Sequence, residues 1–284
     1  MFVEKWCIMK IKIVSDSSAN TQALEGVDFA SVPLKIIVGD REFVDDAALD
    51  VPEMLSALRE YKGKTSSACP SVAEWLSAFG DADMVFGTTI TGKLSGSYNA
   101  ASIAAREYME VHPDRKVFII DSLSTGPEVR LLVEKLRELV AAGLGFEEIC
   151  EEIKGYHART HLLFSLESLS NFVKNGRVNP ALAAIAGILG IRIVGTASEI
   201  GDLQPLHKSR GEKRAIRQLY ESMLEMGYKG GKVWIDHSYN PDGAEKLRDM
   251  IKASFPQCEL KVGCNRGLCC YYAEEGAVLL GFET

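Results

Sequence analysis

The sequence lacks any apolar run long enough to cross a membrane, because none of its stretches approaches the ~20 apolar residues of a spanning helix. Its first twelve residues hold short apolar groups broken by Glu4, Lys5 and Lys10, so no signal peptide is expected. An excess of positive charge is also missing, since the formal net charge is −7. A general binder of nucleic acid or of anionic membrane surfaces needs the opposite charge, and we expect neither activity.

Cysteine is sparse and irregularly spaced. The seven cysteines are an odd number, and without an export signal they are expected to be reduced thiols of a cytoplasmic protein. Cys264, Cys269 and Cys270 fit no common zinc spacing and have no histidine close in sequence, so they are predicted to be small buried thiols. Glycine-rich phosphate loops of the P-loop or dinucleotide type are absent as well. We therefore expect no metal site and no cofactor.

The first half of the chain repeats an apolar strand, a turn rich in serine, threonine and glycine, and a helix. Strands are predicted at residues 11–14, 84–90 and 117–120, and helices at 98–108 and 127–142. This alternation is typical of α/β proteins with parallel sheets. Ligands of such sheets gather beyond the carboxyl ends of the strands, where the hydroxyl-rich turns lie.

The second half has a different pattern. A domain change is predicted near residues 157–161, giving an N-terminal α/β domain of residues 1–158 and a C-terminal α/β domain of residues 159–284. Residues 181–189 are apolar on every face and are predicted to form a buried helix. Residues 191–196 and 203–207 predict a hairpin, and 211–227 a helix. The expected fold class is therefore α/β, with two α/β domains and mostly parallel sheets.

Three hydroxyl clusters stand out, and we expect them to meet at one sheet edge. They are Ser15, Ser17 and Ser18; Thr65, Ser66 and Ser67; and Thr91, Ser95 and Ser97. Free N–H groups and a partial positive charge at helix N-termini favour carboxylate or phosphate. Any one of these residues taken alone could be a simple helix cap. Three clusters together predict a shared anion site.

Two other readings of these residues stay open. Ser95 could be a nucleophile with His237 as its base, although the G-x-S-x-G elbow of serine hydrolases is absent. The anion site could equally serve a small carboxylated or phosphorylated metabolite.

A local excess of positive charge lies within the acidic chain. Residues 171–220 hold eight lysines and arginines against three acidic residues. Four of these cations recur at spacings of three and four, which predicts one helix face: Arg210, Lys213, Arg214 and Arg217. Such a face is either simply solvated or a docking surface for an acidic or phosphate-bearing partner.

Several strings in this order resemble motifs of the DegV family. They are residues 13–18 (IVSDSS), 32–34 (VPL), 90–99 (ITGKLSGSYN), 117–122 (VFIIDS), 174–178 (KNGRV) and 203–215. The string at 90–99 is similar to the family's S-S-G-L-S-G-T-Y-Q, and the arginine of 174–178 matches that of its G-G-R-I segment. The matches keep their order and spacing from residue 11 to about residue 250.

The resemblance implies a non-enzymatic protein that binds one long-chain fatty acid between two α/β domains. It also implies that Thr65 and Ser95 hold the carboxylate, with Arg177 close by and Ser66 and Ser97 in the same clusters. Family members in bacteria present the fatty acid to a separate kinase that makes acyl phosphate. The basic residues from Arg210 to Arg217 would then form the kinase-facing surface.

Two departures from the family pattern bear on the head group. Residues 65–69 read Thr-Ser-Ser-Ala-Cys where the family has T-S-x-P-S, so the proline and second serine are expected to be lost. The family's G-x-H-x-G-P-G appears here as residues 263–270, with Asn265 in the place of the histidine and Arg266 beside it. Asn265 therefore joins the expected ligand-binding residues.

Overall fold

The computed structural model of the protein describes residues 9–178, 182 and 190–284. Its strands are β1 (Ile11–Asp16), β2 (Asp28–Val32), β3 (Lys35–Val38), β4 (Arg41–Val44), β5 (Thr65–Ala68), β6 (Met84–Thr89), β7 (Lys116–Asp121), β8 (Thr160–Leu166), β9 (Ile191–Ala197), β10 (Leu203–Arg210), β11 (Val233–His237), β12 (Leu260–Cys264) and β13 (Val278–Glu283). Its helices are α1 (Val51–Glu60), α2 (Val72–Phe79), α3 (Ser97–Val111), α4 (Pro127–Ala141), α5 (Phe146–His157), α6 (Ser170–Lys174), α7 (Glu212–Glu225), α8 (Pro241–Ser254) and α9 (Gly267–Ala273). The predicted helix at 181–189 lies outside the described residues.

The first sheet is parallel, as the repeated strand–turn–helix pattern predicts. Its strand order is β2-β1-β6-β7, and Ile13 of β1 pairs with Phe29 on one side and Phe86 on the other. Every residue of β6 is buried. Helices α4 and α5 pack on one face of the sheet and α2 and α3 on the other, which explains why its strands are nearly continuous apolar runs.

The α/β class is confirmed, but the second large sheet is not mostly parallel. Its order is β10-β9-β8-β13-β11-β12, and within the described residues only β11 and β12 run parallel. Parallel neighbours need a long crossover, usually a helix, and α8 supplies one between β11 and β12. A short turn joins β9 to β10 instead, which confirms the predicted hairpin.

The sequence did not predict a small antiparallel sheet, β4-β3-β5. The last helix of the chain, α9, packs against this sheet. The Asp45 carboxylate accepts the backbone N–H groups of Gly267 (3.1 Å) and Leu268 (3.0 Å) at the start of α9. A Cβ on Gly267 would lie 2.6 Å from Cγ of Asp45, so a side chain there would push the two apart. Late residues thus pack onto the first half, and the division at residue 158 stays a prediction.

Among the helices of the residues that the structure describes, none combines the length and the apolar character needed to span a bilayer.

Candidate functional site

A cavity of about 310 Å³ lies between the turns at the carboxyl end of the parallel sheet and one face of the second sheet. Strand β8 forms part of its wall with Leu162, Phe164 and Leu166. These alternate residues share one face, whereas Leu163 packs on the other side of the sheet in the core with α7 and α8. Further apolar lining residues are Leu34, Ile90, Leu94, Leu123, Phe172, Ala197, Leu203, Leu268 and Leu279. The cavity is therefore mostly apolar.

Hydroxyl groups from the turns of the first half and from strand β5 line this cavity. They belong to Ser67, Thr91, Ser95, Ser124 and Thr125. The Ser95 hydroxyl accepts the backbone N–H of Ser97 at 3.2 Å, in the first turn of α3. The Thr91 hydroxyl donates to the carbonyl of Gly201 at 3.1 Å, which joins the turn after β6 to the β9–β10 hairpin. The hydroxyls lie together where the two halves of the chain meet.

Asp16 organises this polar end without lining the cavity itself. Its buried carboxylate accepts the N–H of Ile90 (2.9 Å) and the hydroxyls of Ser97 (2.6 Å) and Ser18 (2.5 Å). Burial raises the pKa of Asp16, and these hydrogen bonds oppose the rise. The predicted ligand residue Ser97 is thus engaged with Asp16, which holds the turn that carries Ser95.

Arg177 contributes a cation to the cavity. Its Nε is buried and has no hydrogen-bond partner among the described residues. Asp202 also lines the cavity, but its carboxylate is near the surface, where it lies 4.0 Å from Nζ of Lys93. Buried donors are nearly always satisfied in folded proteins, and a carboxylate is a strong acceptor for a guanidinium. The polar end can therefore accommodate an anionic group.

Thr65 and Ser66 are not among the residues that line this cavity. The Thr65 hydroxyl is 2.8 Å from the hydroxyl of Tyr271 and lines a separate depression of about 210 Å³ beside α1 and α6. Ser67, two positions further along β5, does line the cavity, with its hydroxyl 2.8 Å from that of Tyr272. Ser66 lies between them on the opposite face of the strand.

A second register of the T-S-x-P-S motif agrees with this placement of Ser67 and Thr65. Shifted by two residues, the motif falls on 67–71, where Pro70 and Ser71 provide the proline and second serine. Ser71 caps α2 together with Glu74, whose carboxylate accepts the N–H of Ser71 at 2.7 Å. In that register neither the proline nor the second serine is lost. The Ser71–Glu74 capping box was the sequence signal that could have set this register.

Asn265 is buried in a polar network rather than in the cavity wall. Its side chain donates to the Ser238 hydroxyl at 3.0 Å and accepts from Asn20 at 3.1 Å. Asn20 also donates to the carboxylate of Asp236 at 2.8 Å, and burial raises the pKa of Asp236 to about 6. The neighbouring Arg266 donates to the carbonyl of Asp46. This network ties the ends of β11 and β12 to the loop after β1.

The structure does not bring His237 to Ser95. His237 Nδ1 accepts the N–H of Asn240 at 3.2 Å, and its Nε2 lies 3.7 Å from Sγ of Cys264. No histidine is among the described residues that line the cavity. The serine-hydrolase hypothesis therefore lacks the histidine that it assigned to Ser95 as a base.

The cysteine prediction holds for two of the three late cysteines. Cys269 and Cys270 are buried, but Cys264 is exposed at the end of β12. Within the described ranges no group of three or more histidine, cysteine, aspartate or glutamate residues is placed to hold a metal ion.

The four basic residues are exposed, but they do not lie on one helix face. Arg210 is the last residue of β10 and pairs with Ile191 in the β9–β10 ladder. Gly211, with φ of +80°, then turns the chain into α7, which carries Lys213, Arg214 and Arg217. Arg210 therefore precedes the helix. In the part of the chain that the structure describes, none of the four forms a salt bridge with an acidic side chain.

Comparison with known proteins agrees with the motifs in the sequence. A family model described as "Uncharacterised protein, DegV family" matches residues 10–284. A DegV domain-containing protein of Streptococcus pneumoniae is 44% identical to the chain, covering 97% of it and 99% of the relative. A DegV domain-containing protein of Streptococcus gordonii is 42% identical with the same coverage of both.

Solved structures show the same similarity. The fatty acid kinase B3 protein of Streptococcus pneumoniae, loaded with linoleic acid, matches with a TM-score of 0.95 and 44% identity over 97% of this chain and 99% of that one. A DegV family protein of Eubacterium eligens loaded with heptadecanoic acid matches with a TM-score of 0.93 and 43% identity over 96% and 99%. With a family model and relatives covering nearly its whole length, the chain belongs to the DegV family.

Proposed function

We propose that the protein binds one long-chain fatty acid in the cavity between its two large sheets and presents the carboxylate to a fatty-acid kinase. The observation that carries the proposal is a largely apolar cavity with hydroxyls and an unpartnered Arg177 Nε in its wall. That arrangement is complementary to an acyl chain with one anionic end. The bound fatty acids named for two similar structures support it.

The tail is expected to supply most of the affinity. Each buried methylene contributes about 0.8 kcal/mol, so fourteen methylenes offer roughly 11 kcal/mol before the costs of association. A hydrogen bond to a carboxylate contributes only about 1.5–3 kcal/mol. The hydroxyls of Ser67 and Ser95 and the guanidinium of Arg177 therefore set the orientation of the head group more than the total affinity.

The protein is proposed to act in the cytoplasm as a binding component, with the chemistry carried out by a separate kinase. Ser95 is a poor nucleophile without a base, and the cavity wall contains no histidine among the described residues. A small anionic metabolite would leave most of the apolar wall uncovered. The exposed cations at Arg210 and on α7 provide a surface for the kinase.

Extraction of the purified protein tests the proposal directly. Protein expressed in bacteria is denatured by heat, extracted and analysed by mass spectrometry, and we expect one long-chain fatty acid per chain. Delipidated protein should take up added fatty acid again. Protein that carries no lipid and takes up none when it is offered would contradict the proposal.

A further inference from the structure

Phe164 has an unusual neighbour in the cavity wall. It pairs across the sheet with Gly195 of β9 on one side and with Leu279 of β13 on the other. A Cβ on Gly195 would lie 2.6 and 2.7 Å from two atoms of the Phe164 ring. Real Cβ contacts are essentially never that short, so the ring occupies the space that any other residue at position 195 would fill.

The glycine at position 195 sets how far the Phe164 ring extends into the cavity. Because the ring leans over Gly195, it lies along the sheet rather than standing out into the cavity that it lines. The next β9 residue on the same face is Ala197, which is also small and also lines the cavity. At positions 195 and 197 strand β9 therefore adds little side-chain bulk between β8 and Leu203 of β10.

Lateral room matters for one class of acyl chain more than for another. A saturated chain can extend and needs length, whereas each cis double bond bends the chain and needs width. We propose that Gly195 is a specificity-determining residue that acts through the Phe164 ring and gives the cavity room for a cis-unsaturated acyl chain. The inference rests on the proposed function and adds the class of fatty acid and the residue that selects it.

The test compares linoleic and stearic acids, which have the same chain length, on delipidated protein. Overpacking of a well-packed site is unfavourable, and we expect Gly195→Ala to weaken binding of linoleic acid about tenfold and of stearic acid less than about threefold. Gly155→Ala is the matched control, because a Cβ there meets nothing within 4 Å. Equal weakening of both acids by Gly195→Ala would overturn the proposal.

A second variant separates the ring from the backbone. The Cβ of Gly195→Ala would also lie 2.5 Å from the carbonyl oxygen of Gln204, and this contact does not involve Phe164. In a Phe164→Leu background the ring is gone, so adding Gly195→Ala should leave the linoleic-to-stearic affinity ratio unchanged. A ratio that still falls in the double variant would show that Gly195 acts through the hairpin, and the proposal would fail.

Phe164→Leu alone keeps the proposal testable if Gly195→Ala does not fold. Removing the ring widens the cavity, and the affinity ratio should shift toward linoleic acid by about threefold or more. An unchanged ratio would overturn the inference while leaving the proposed function intact. Wild-type protein that binds neither acid would overturn both.

Discussion

Two serines share the polar end of the cavity, and each reaches it from a different element. Ser67 is on β5, and Ser95 lies in the turn before α3. We expect Ser67→Ala or Ser95→Ala to weaken fatty-acid binding about ten- to a hundredfold without abolishing it, the range for a hydrogen bond to a charged group. Calorimetric titration of delipidated protein measures the change.

Thr65→Val is the matched control for these two serines. Thr65 is on the same face of β5 as Ser67, but its hydroxyl lies against Tyr271 outside the cavity. Its replacement should lower the free energy of unfolding by about 1 kcal/mol and leave the affinity for fatty acid near that of the wild type. A larger loss of affinity for Thr65→Val than for Ser67→Ala would place the carboxylate beside Tyr271 instead.

Arg177 provides a test of charge rather than of hydrogen bonding. Among the described residues that line the cavity, Arg177 is the only cation, and its Nε has no hydrogen-bond partner there. The wild type should prefer a fatty acid to the methyl ester of the same acid, and Arg177→Leu should reduce that preference about tenfold or more. Competition binding with both ligands measures it, and an unchanged preference would exclude Arg177 from the head-group site.

Of the site residues predicted from the sequence, Ser95 and Arg177 line the cavity and Thr65 and Asn265 do not, for a physical reason. Ser95 lies in a short turn, whose position follows from the strand before it. Thr65 and Ser67 lie on the same face of β5 but line different depressions, so a shift of two residues in the register of the motif exchanges one for the other. Asn265 directly follows the carboxyl end of β12. The sequence does not show that its side chain contacts Ser238 and Asn20 rather than the cavity.

At the scale of elements, hairpin β9–β10 connects the cavity to the basic surface. Leu203 lines the cavity at one end of β10, and Arg210 is exposed at the other end, roughly 23 Å away at 3.3 Å per residue. Substitutions at the basic end should therefore not reach the acyl chain.

We expect Arg210→Ala and Arg217→Ala to leave fatty-acid affinity unchanged and to reduce acyl-phosphate formation at limiting protein. The reduction should be about tenfold in low salt and smaller in high salt, because charge on an interface rim chiefly governs encounter. The matched control is Arg106→Ala, an exposed arginine on α3 in the other half of the chain. Equal rates for Arg210→Ala and wild type would count against a docking role.

Local patterns predicted the helices and strands of the first half better than the topology of the second. A parallel sheet follows from repeated strand–helix units, each readable within about thirty residues. In the antiparallel second sheet β13 lies between β8 and β11. Strands β8 and β13 are more than one hundred residues apart in the sequence. No local sequence pattern indicates this pairing of β13. The same holds for the small sheet against which α9 packs.

On the scale of the whole molecule, helix α4 joins the two large sheets and carries a buried acid. Glu128 in its first turn accepts the Thr160 hydroxyl at 2.9 Å, and a Cβ on Gly281 of β13 would lie 2.7 Å from the Glu128 nitrogen. Burial raises the pKa of Glu128 to about 7. The folded protein therefore keeps a proton on Glu128 at pH values where the unfolded chain has lost it.

The sign of the pH effect follows from that proton. Between about pH 4.5 and 7 the folded state binds more protons than the unfolded state, so the free energy of unfolding falls as pH rises. The loss from this group is expected to be on the order of 3 kcal/mol by pH 8. Glu128→Gln should flatten the pH dependence of unfolding by denaturant between pH 5 and 8. Glu221→Gln, at an exposed position on α7, should keep the wild-type slope, and an equally steep profile for Glu128→Gln would contradict the assignment.

The contact between Asp45 and Gly267 means that an early part of the chain must wait for a late part before its native packing is complete. These residues are 222 positions apart, and α9 supplies Cys270 and Tyr271 to the core of the small sheet. A ribosome has therefore made β3, β4 and β5 long before the helix that covers them exists. Until then, Ile36, Val38 and Phe43 lack the part of their native packing that Cys270 and Tyr271 provide, and the cavity wall that includes Leu268 and Tyr272 is open. The nascent protein can form its parallel sheet early, but it cannot enclose a lipid until α9 has emerged.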